Sequence, residues 1–135
     1  MGVTLLASRL PAETPPRALR VLIVDDHLLY AEALSVLLGQ ERSLEVVGIA
    51  GDGRAALAGA AELRPDVVLM DIEMPLLDGI AATRLIRERL PGTKVVVMTA
   101  LTGDEHQERA LCAGAAACIR KFSPAGDLLE AIETA

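Results

Sequence analysis

Aromatic side chains are almost missing from this 135-residue chain: there is no tryptophan, and Tyr30 and Phe122 are the only tyrosine and phenylalanine. Without a set of aromatic rings there is no platform on which bases could stack, which removes one common route to single-strand nucleic-acid binding. Positive charge is also short. The formal net charge is −6 and no long basic run occurs, which argues against direct contact with a phosphate backbone. Cysteine is limited to Cys112 and Cys118. That spacing is neither a zinc pattern nor a redox pair, and two reduced thiols suit a cytoplasmic protein. No apolar stretch approaches the ~18 residues of a membrane span. The apolar start, Gly2-Val-Thr-Leu-Leu-Ala-Ser8, has no basic segment before it and does not read as a signal peptide.

Apolar residues, by contrast, make up 52% of the chain, enough for one domain with a proper core. Residues 1–19 read as an extension, since Pro11, Pro15 and Pro16 with Thr14 oppose any regular element. Residues 20–135 form the domain. Short apolar runs alternate there with amphipathic stretches. Strands are predicted over 19–24, 44–50, 66–70, 94–98 and 116–120, and helices over 28–38, 54–63, 80–90 and 104–113. A last helix opens at Ser123-Pro124, with Ser123 as its N-cap. Five βα units in succession predict an α/β fold, a doubly wound parallel sheet with helices on both faces. Right-handed crossovers favour the flavodoxin-like strand order 2-1-3-4-5.

Four of those strands end on polar groups: the Asp25–Asp26 pair, Asp71, Thr99 and Lys121. A parallel sheet gathers the carboxyl ends of its strands into one crevice, and strands 1 and 3 flank its switch point. Carboxylates crowded together do not all stay ionised without a cation, so a divalent ion, best Mg²⁺, is implied. The alternative for one of the acidic pair is capping of the helix that begins near Leu28. Asp71 beside a metal can attack phosphorus to give an acyl phosphate. Thr99 and Lys121 are then suited to grip phosphoryl oxygens.

With these motifs in place the chain resembles a receiver domain of a two-component response regulator. The resemblance runs from Arg20 to the C-terminus. It rests on Val21-Leu-Ile-Val-Asp-Asp-His27, Arg64-Pro-Asp-Val-Val-Leu-Met-Asp-Ile-Glu-Met-Pro75, Asp78-Gly-Ile80, Met98-Thr-Ala100 and Ala113-Gly-Ala115 followed by Lys121. Asp25-Asp-His27, Val46 to Ala50 and the residues after Gly79 look most like the LuxR-type (NarL/FixJ) branch. The resemblance implies phosphorylation of Asp71 by a histidine kinase, with Mg²⁺ held by Asp26 directly, Asp25 through water, Asp71, and the backbone carbonyl of Glu73. Thr99 becomes the switch hydroxyl, Lys121 the phosphoryl-contacting lysine, and the Ala100 N–H a further phosphoryl donor. It also implies dimerisation on phosphorylation, and DNA binding only through a C-terminal helix-turn-helix domain outside this chain. By this reading the chain is a phospho-accepting signalling domain, with self-catalysed phosphotransfer and autodephosphorylation, rather than an enzyme.

Two departures from the pattern stand out. The place three residues before the lysine, often a Tyr or Phe that turns as a rotameric switch, is Cys118. The chain also stops near where the last receiver helix should end, which fits an excised domain better than a stand-alone one. Competing readings are an aspartyl-phosphate hydrolase of the haloacid-dehalogenase type, for which a cap is missing, and a binding module that is never phosphorylated, although no site residue is missing.

Weaker signals remain. Gly51-Asp-Gly53-Arg-Ala-Ala56 mimics a dinucleotide fingerprint, but it follows the second strand, at the sheet edge, and reads as a turn and helix start. His27 suits a role in loop shape, and His106 a solvated helix face. Arg84, Arg87 and Arg89 form a charged helix face, and Met70, Met74 and Met98 pack the core. Glu73 and Leu101, two positions beyond Asp71 and Thr99, are placed to admit or block attacking water.

Overall fold

A computed structural model describes residues 17–74, 77–100 and 103–135. What the sequence suggests for residues 1–16, Pro75 and Leu101 therefore lies outside the described residues. The elements run β1 (Leu19–Val24), α1 (Leu28–Gly39), β2 (Leu44–Ala50), α2 (Gly53–Leu63), β3 (Val67–Asp71), α3 (Gly79–Arg89), β4 (Lys94–Thr99), α4 (Asp104–Cys112), β5 (Ala117–Arg120) and α5 (Ala125–Glu133). The strands form one parallel sheet in the order β2-β1-β3-β4-β5. Fold class and strand order are those predicted.

The sheet separates two cores. Leu22, Val24, Val68, Met70, Val95 and Val97 face α2, α3 and α4, where Ala56, Ala60, Ile86 and Ala110 meet them. Val21, Ile23, Val67, Leu69, Val96 and Met98 face α1 and α5, against Leu34, Leu38, Leu128 and Ile132. Alternate residues of β1, β3 and β4 go to opposite cores because strand side chains alternate. Covering both faces explains why these strands read as unbroken apolar runs. Each fully buried Leu, Ile, Val or Met contributes roughly 1.5–3 kcal/mol.

Helix boundaries have local causes. Asp52 caps α2 by accepting the Ala55 N–H, and Asp78 caps α3 by accepting the Ala81 N–H, both at 2.8 Å. Gly51-x-Gly53 is thus a turn and helix start, as expected. Ser123 is not the cap of α5: Pro124 holds that position, without a side-chain cap bond, and the Ser123 hydroxyl donates back to the Arg120 carbonyl. Nor does either acid of the Asp25–Asp26 pair cap α1. His27 occupies the N-cap position, with no side-chain cap bond.

Candidate functional site

The crevice at the carboxyl ends of β1 and β3 collects the acids. Asp71 is the last residue of β3, and Asp25 and Asp26 follow β1 directly. Asp25 and Asp71 are buried and Asp26 is exposed. Local turns hold the carboxylates in place. Asp25 Oδ1 accepts the His27 N–H at 2.8 Å, and Asp71 Oδ1 accepts the Glu73 N–H at 3.1 Å. Gly79 brings the start of α3 onto this loop, where a Cβ would collide with the Asp71 carbonyl oxygen and the Ile72 Cα. Its N–H donates to the Ile72 carbonyl at 3.1 Å.

Lys121, one residue beyond β5, turns its buried ammonium into the same crevice. Nζ lies 2.8 Å from Asp25 Oδ2 and 3.3 Å from Asp71 Oδ2. The contact with Asp25 is an ion pair between two buried side chains, and Asp25 Oδ2 is enclosed with this ammonium as its neighbour. The lysine backbone is fixed too, its N–H donating to the Thr99 carbonyl at 2.8 Å. Thr99 is buried at the end of β4. The sheet therefore brings Asp25, Asp26, Asp71, Thr99 and Lys121 to one end, as the strand order predicted.

Charge at the site is unbalanced. Burial pushes the Asp71 carboxyl up to about 6, against the lowering effect of the Glu73 N–H; Asp25 pushes it further and Lys121 pulls it down. For Lys121, burial works against the charged form, but Asp25 and Asp71 outweigh it and raise its pKa. One ammonium thus faces three carboxylates. Ligand atoms of Asp25, Asp26, His27 and Asp71 lie within 4.8 Å of one another. A hard divalent cation suits oxygen donors so arranged, and the carboxylates of Asp25, Asp26 and Asp71 outnumber the one ammonium beside them. The residues fit Mg²⁺.

The family model of the response regulator receiver domain matches residues 21–133. The chain belongs to this family. Among curated relatives it is 39% identical to response regulator protein VraR of Staphylococcus epidermidis over 115 residues, which is 85% of this chain and 55% of that protein. The receiver thus spans about half the length of such relatives. Among solved structures it resembles the signal receiver domain of the response regulator NarL from Mycobacterium tuberculosis, with a TM-score of 0.81 and 32% identity, covering 89% of this chain and 100% of that one. It also resembles a LuxR-family two-component response regulator from Aurantimonas, with a TM-score of 0.83 and 32% identity, covering 87% of this chain and 84% of that one. Receivers of this family act as signalling domains alongside sensor histidine kinases, and they generally bind Mg²⁺. Among the described residues no helix is long and apolar enough to cross a membrane.

Several site residues of this receiver were not legible in sequence. The His27 imidazole does more than shape the loop: its Nδ1 lies 3.4 Å from a carboxylate oxygen of both Asp25 and Asp26 and 3.3 Å from Lys121 Nζ. Tyr30 places its ring 4.8 Å from Lys121 Nζ. Phe122 packs edge-on against Tyr30, centroids 4.9 Å apart, and its N–H donates to the Tyr30 hydroxyl at 3.3 Å. Phe122 takes a left-handed backbone, φ 66°, which turns the chain sharply just after the lysine. Glu73 reaches across to β4, where its Oε1 accepts the Ala100 N–H at 3.2 Å. That N–H, expected to serve a phosphoryl group, is held by a carboxylate here. His106 is half-buried and, with Ile72, Glu73, Asp78, Ile80 and Arg109, lines an open pocket of about 220 Å³ beside the site. Cys118 is half-buried against the α2–α4 core, and burial pushes its thiol up.

Proposed function

We propose that the chain is a phosphorylation switch in which Asp71 accepts a phosphoryl group from a sensor histidine kinase. The observation that carries this reading is the buried Lys121 ammonium set between the Asp25 and Asp71 carboxylates, 2.8 and 3.3 Å away. A lysine so placed neutralises charge that builds on Asp71, and it pre-positions a donor for a phosphoryl oxygen.

In the transfer, the Asp71 carboxylate forms a bond to phosphorus as the bond from phosphorus to the kinase imidazole nitrogen breaks. The imidazole leaves with the electron pair of that bond. Lys121 pairs with one phosphoryl oxygen, and the Thr99 hydroxyl and the Ala100 N–H serve the others. Asp26 directly, Asp25 through water, Asp71, and the Glu73 carbonyl would hold Mg²⁺, which when bound neutralises carboxylate and phosphoryl charge together. The domain's own residues supply this positioning, so transfer from small acyl phosphates and later hydrolysis are self-catalysed.

The phosphoryl group then biases an existing equilibrium of the domain. Its outputs are self-association and, through a helix-turn-helix domain outside this chain, DNA binding in the cytoplasm. The signalling unit begins with β1 at Leu19, one residue before the boundary the sequence suggests, and the residues ahead of it are an appended segment.

The test is intact mass after incubation with acetyl phosphate and Mg²⁺. One phosphoryl group should be gained by the native chain and none by Asp71→Asn or without metal. Failure of the folded native chain to gain it would leave a receiver used for binding alone. Sedimentation with and without beryllofluoride tests the output, and equal mass across a concentration series would exclude self-association as its form.

A further inference from the structure

The donor that a phosphoryl oxygen would need at Ala100 is already in use. Glu73 lies two residues beyond Asp71, on a segment stitched to β4 by the Ile72 N–H, which donates to the Met98 carbonyl at 3.0 Å. From there its side chain crosses to the first residue after β4, and Oε1 accepts the Ala100 N–H at 3.2 Å. A carboxylate oxygen and a phosphoryl oxygen are alike in this respect: each is an anionic acceptor that makes a charge-assisted bond to a backbone N–H. An N–H well aligned to one is not available to the other.

We propose that Glu73 is an internal stand-in for the phosphoryl group, holding the Ala100 N–H in the resting protein and giving it up when Asp71 is phosphorylated. The inference rests on Asp71 being the phosphoacceptor. Glu73 acts as a positioning residue in two ways. It closes the link between the β3 and β4 loops before any phosphoryl group arrives. It also sets a further carboxylate at the Ala100 N–H, beside a crevice where Asp25, Asp26 and Asp71 already face one ammonium, so an anionic donor enters against its charge. Both effects set the rate at which Asp71 is modified, with the chemistry left to other groups. The bond is exposed to solvent, so displacing it has a modest cost.

Two variants separate the effects. Glu73→Ala removes both the acceptor and the charge. Glu73→Gln removes the charge but keeps a weaker, neutral acceptor in reach. Phosphoryl incorporation from acetyl phosphate with Mg²⁺ is followed by intact mass, alongside Asp71→Asn. The Ala100 amide proton is followed by NMR in the same proteins before any phosphoryl donor is added. Loss of one charge-assisted hydrogen bond predicts incorporation roughly three- to tenfold faster in Glu73→Ala, with Glu73→Gln between it and the native chain. The Ala100 amide should move upfield in Glu73→Ala without phosphoryl donor, as a hydrogen bond is lost. Equal or slower incorporation in Glu73→Ala, an unmoved Ala100 amide, or Glu73→Gln as fast as Glu73→Ala would each overturn the stand-in. No incorporation in any of the chains would instead overturn the assignment of Asp71, and the role of Glu73 with it.

Discussion

The Lys121 ammonium lies 4.8 Å from the centre of the Tyr30 ring, so the single tyrosine of this chain supports the cation buried among the acids of the crevice. Phe122 completes the support by packing edge-on to the same ring. Replacing Tyr30 by Leu removes the cation–π contact and the ring pair and should cost about 1–2 kcal/mol. Tyr30→Phe keeps the rings and loses the bond from the Phe122 N–H, at about 0.5–1 kcal/mol. Urea midpoints measure both. Phosphoryl incorporation should fall in Tyr30→Leu and hold in Tyr30→Phe.

The pH dependence of the metal-free protein follows from Asp71. Its carboxyl titrates at about 6 in the fold against an ordinary 3.8. The unfolded chain therefore releases this proton first, and stability is lost as pH rises from about 4 through 6. The shift corresponds to on the order of 3 kcal/mol. Asp71→Asn should remove that loss and be more stable than the native chain at pH 8 but not at pH 4. Thermal melts in a chelating buffer decide it; a native chain no less stable at pH 8 than at pH 4.5 counts against it.

Magnesium should reverse the same penalty. At pH 8 a concentration ten times Kd should stabilise the native chain by about 1.4 kcal/mol. Near pH 5, where Asp71 carries its proton, the effect should shrink. Asp26→Asn should abolish most of it at both pH values, while sodium chloride at matched ionic strength separates a metal site from general screening. The readout is the melting midpoint against magnesium concentration.

Gly79 is a steric requirement of the loop that follows β3. Any Cβ there collides with the Asp71 carbonyl and the Ile72 Cα, and both are backbone atoms that cannot turn aside. Gly79→Ala should destabilise the fold by about 1–3 kcal/mol and slow phosphoryl incorporation by moving Asp71. Gly92→Ala, where nothing lies within 4 Å of the added carbon, should do neither. Urea unfolding of the two variants provides the comparison.

The cysteines should differ in reactivity. Cys112 is exposed, whereas Cys118 is half-buried with its thiol pushed up, so less thiolate is present at neutral pH. Alkylation at pH 8 followed by peptide mass should label Cys112 first. Equal rates would mean that β5 opens readily at the sheet edge.

Much of this was legible in the residues themselves. Strands buried on both faces appear as apolar runs such as Leu22-Ile23-Val24 and Val67-Val68-Leu69-Met70, and parallel pairing then brings their ends together. Small offsets arose where polar residues end a strand. Asp71 and Thr99 belong to β3 and β4 themselves, because backbone pairing continues beyond the apolar run. Ser123 looked like a cap by composition, yet its hydroxyl is spent on Arg120.

Contacts between distant residues were not legible. Tyr30 and Phe122 are 92 positions apart, and neither carries a local pattern that predicts the other. Glu73 and Ala100 are 27 positions apart, and which way a long exposed side chain turns depends on tertiary surroundings. The near absence of aromatics was the one available signal for the ring pair: two rings in a chain with no others, one of them next to the site lysine.

The edge strand β5 has four residues and none of them is fully buried. A strip so short is held weakly by its own ladder. Its far end is instead moored to the middle of the sheet by the Lys121 side chain, which ties it to Asp25 just after β1 and to Asp71 on β3. Mooring of that kind is only as taut as the charge at its anchor. Whatever alters the anionic load on Asp71 therefore slackens or tightens the margin of the sheet, and α5, which begins four residues after the lysine, rides on that margin.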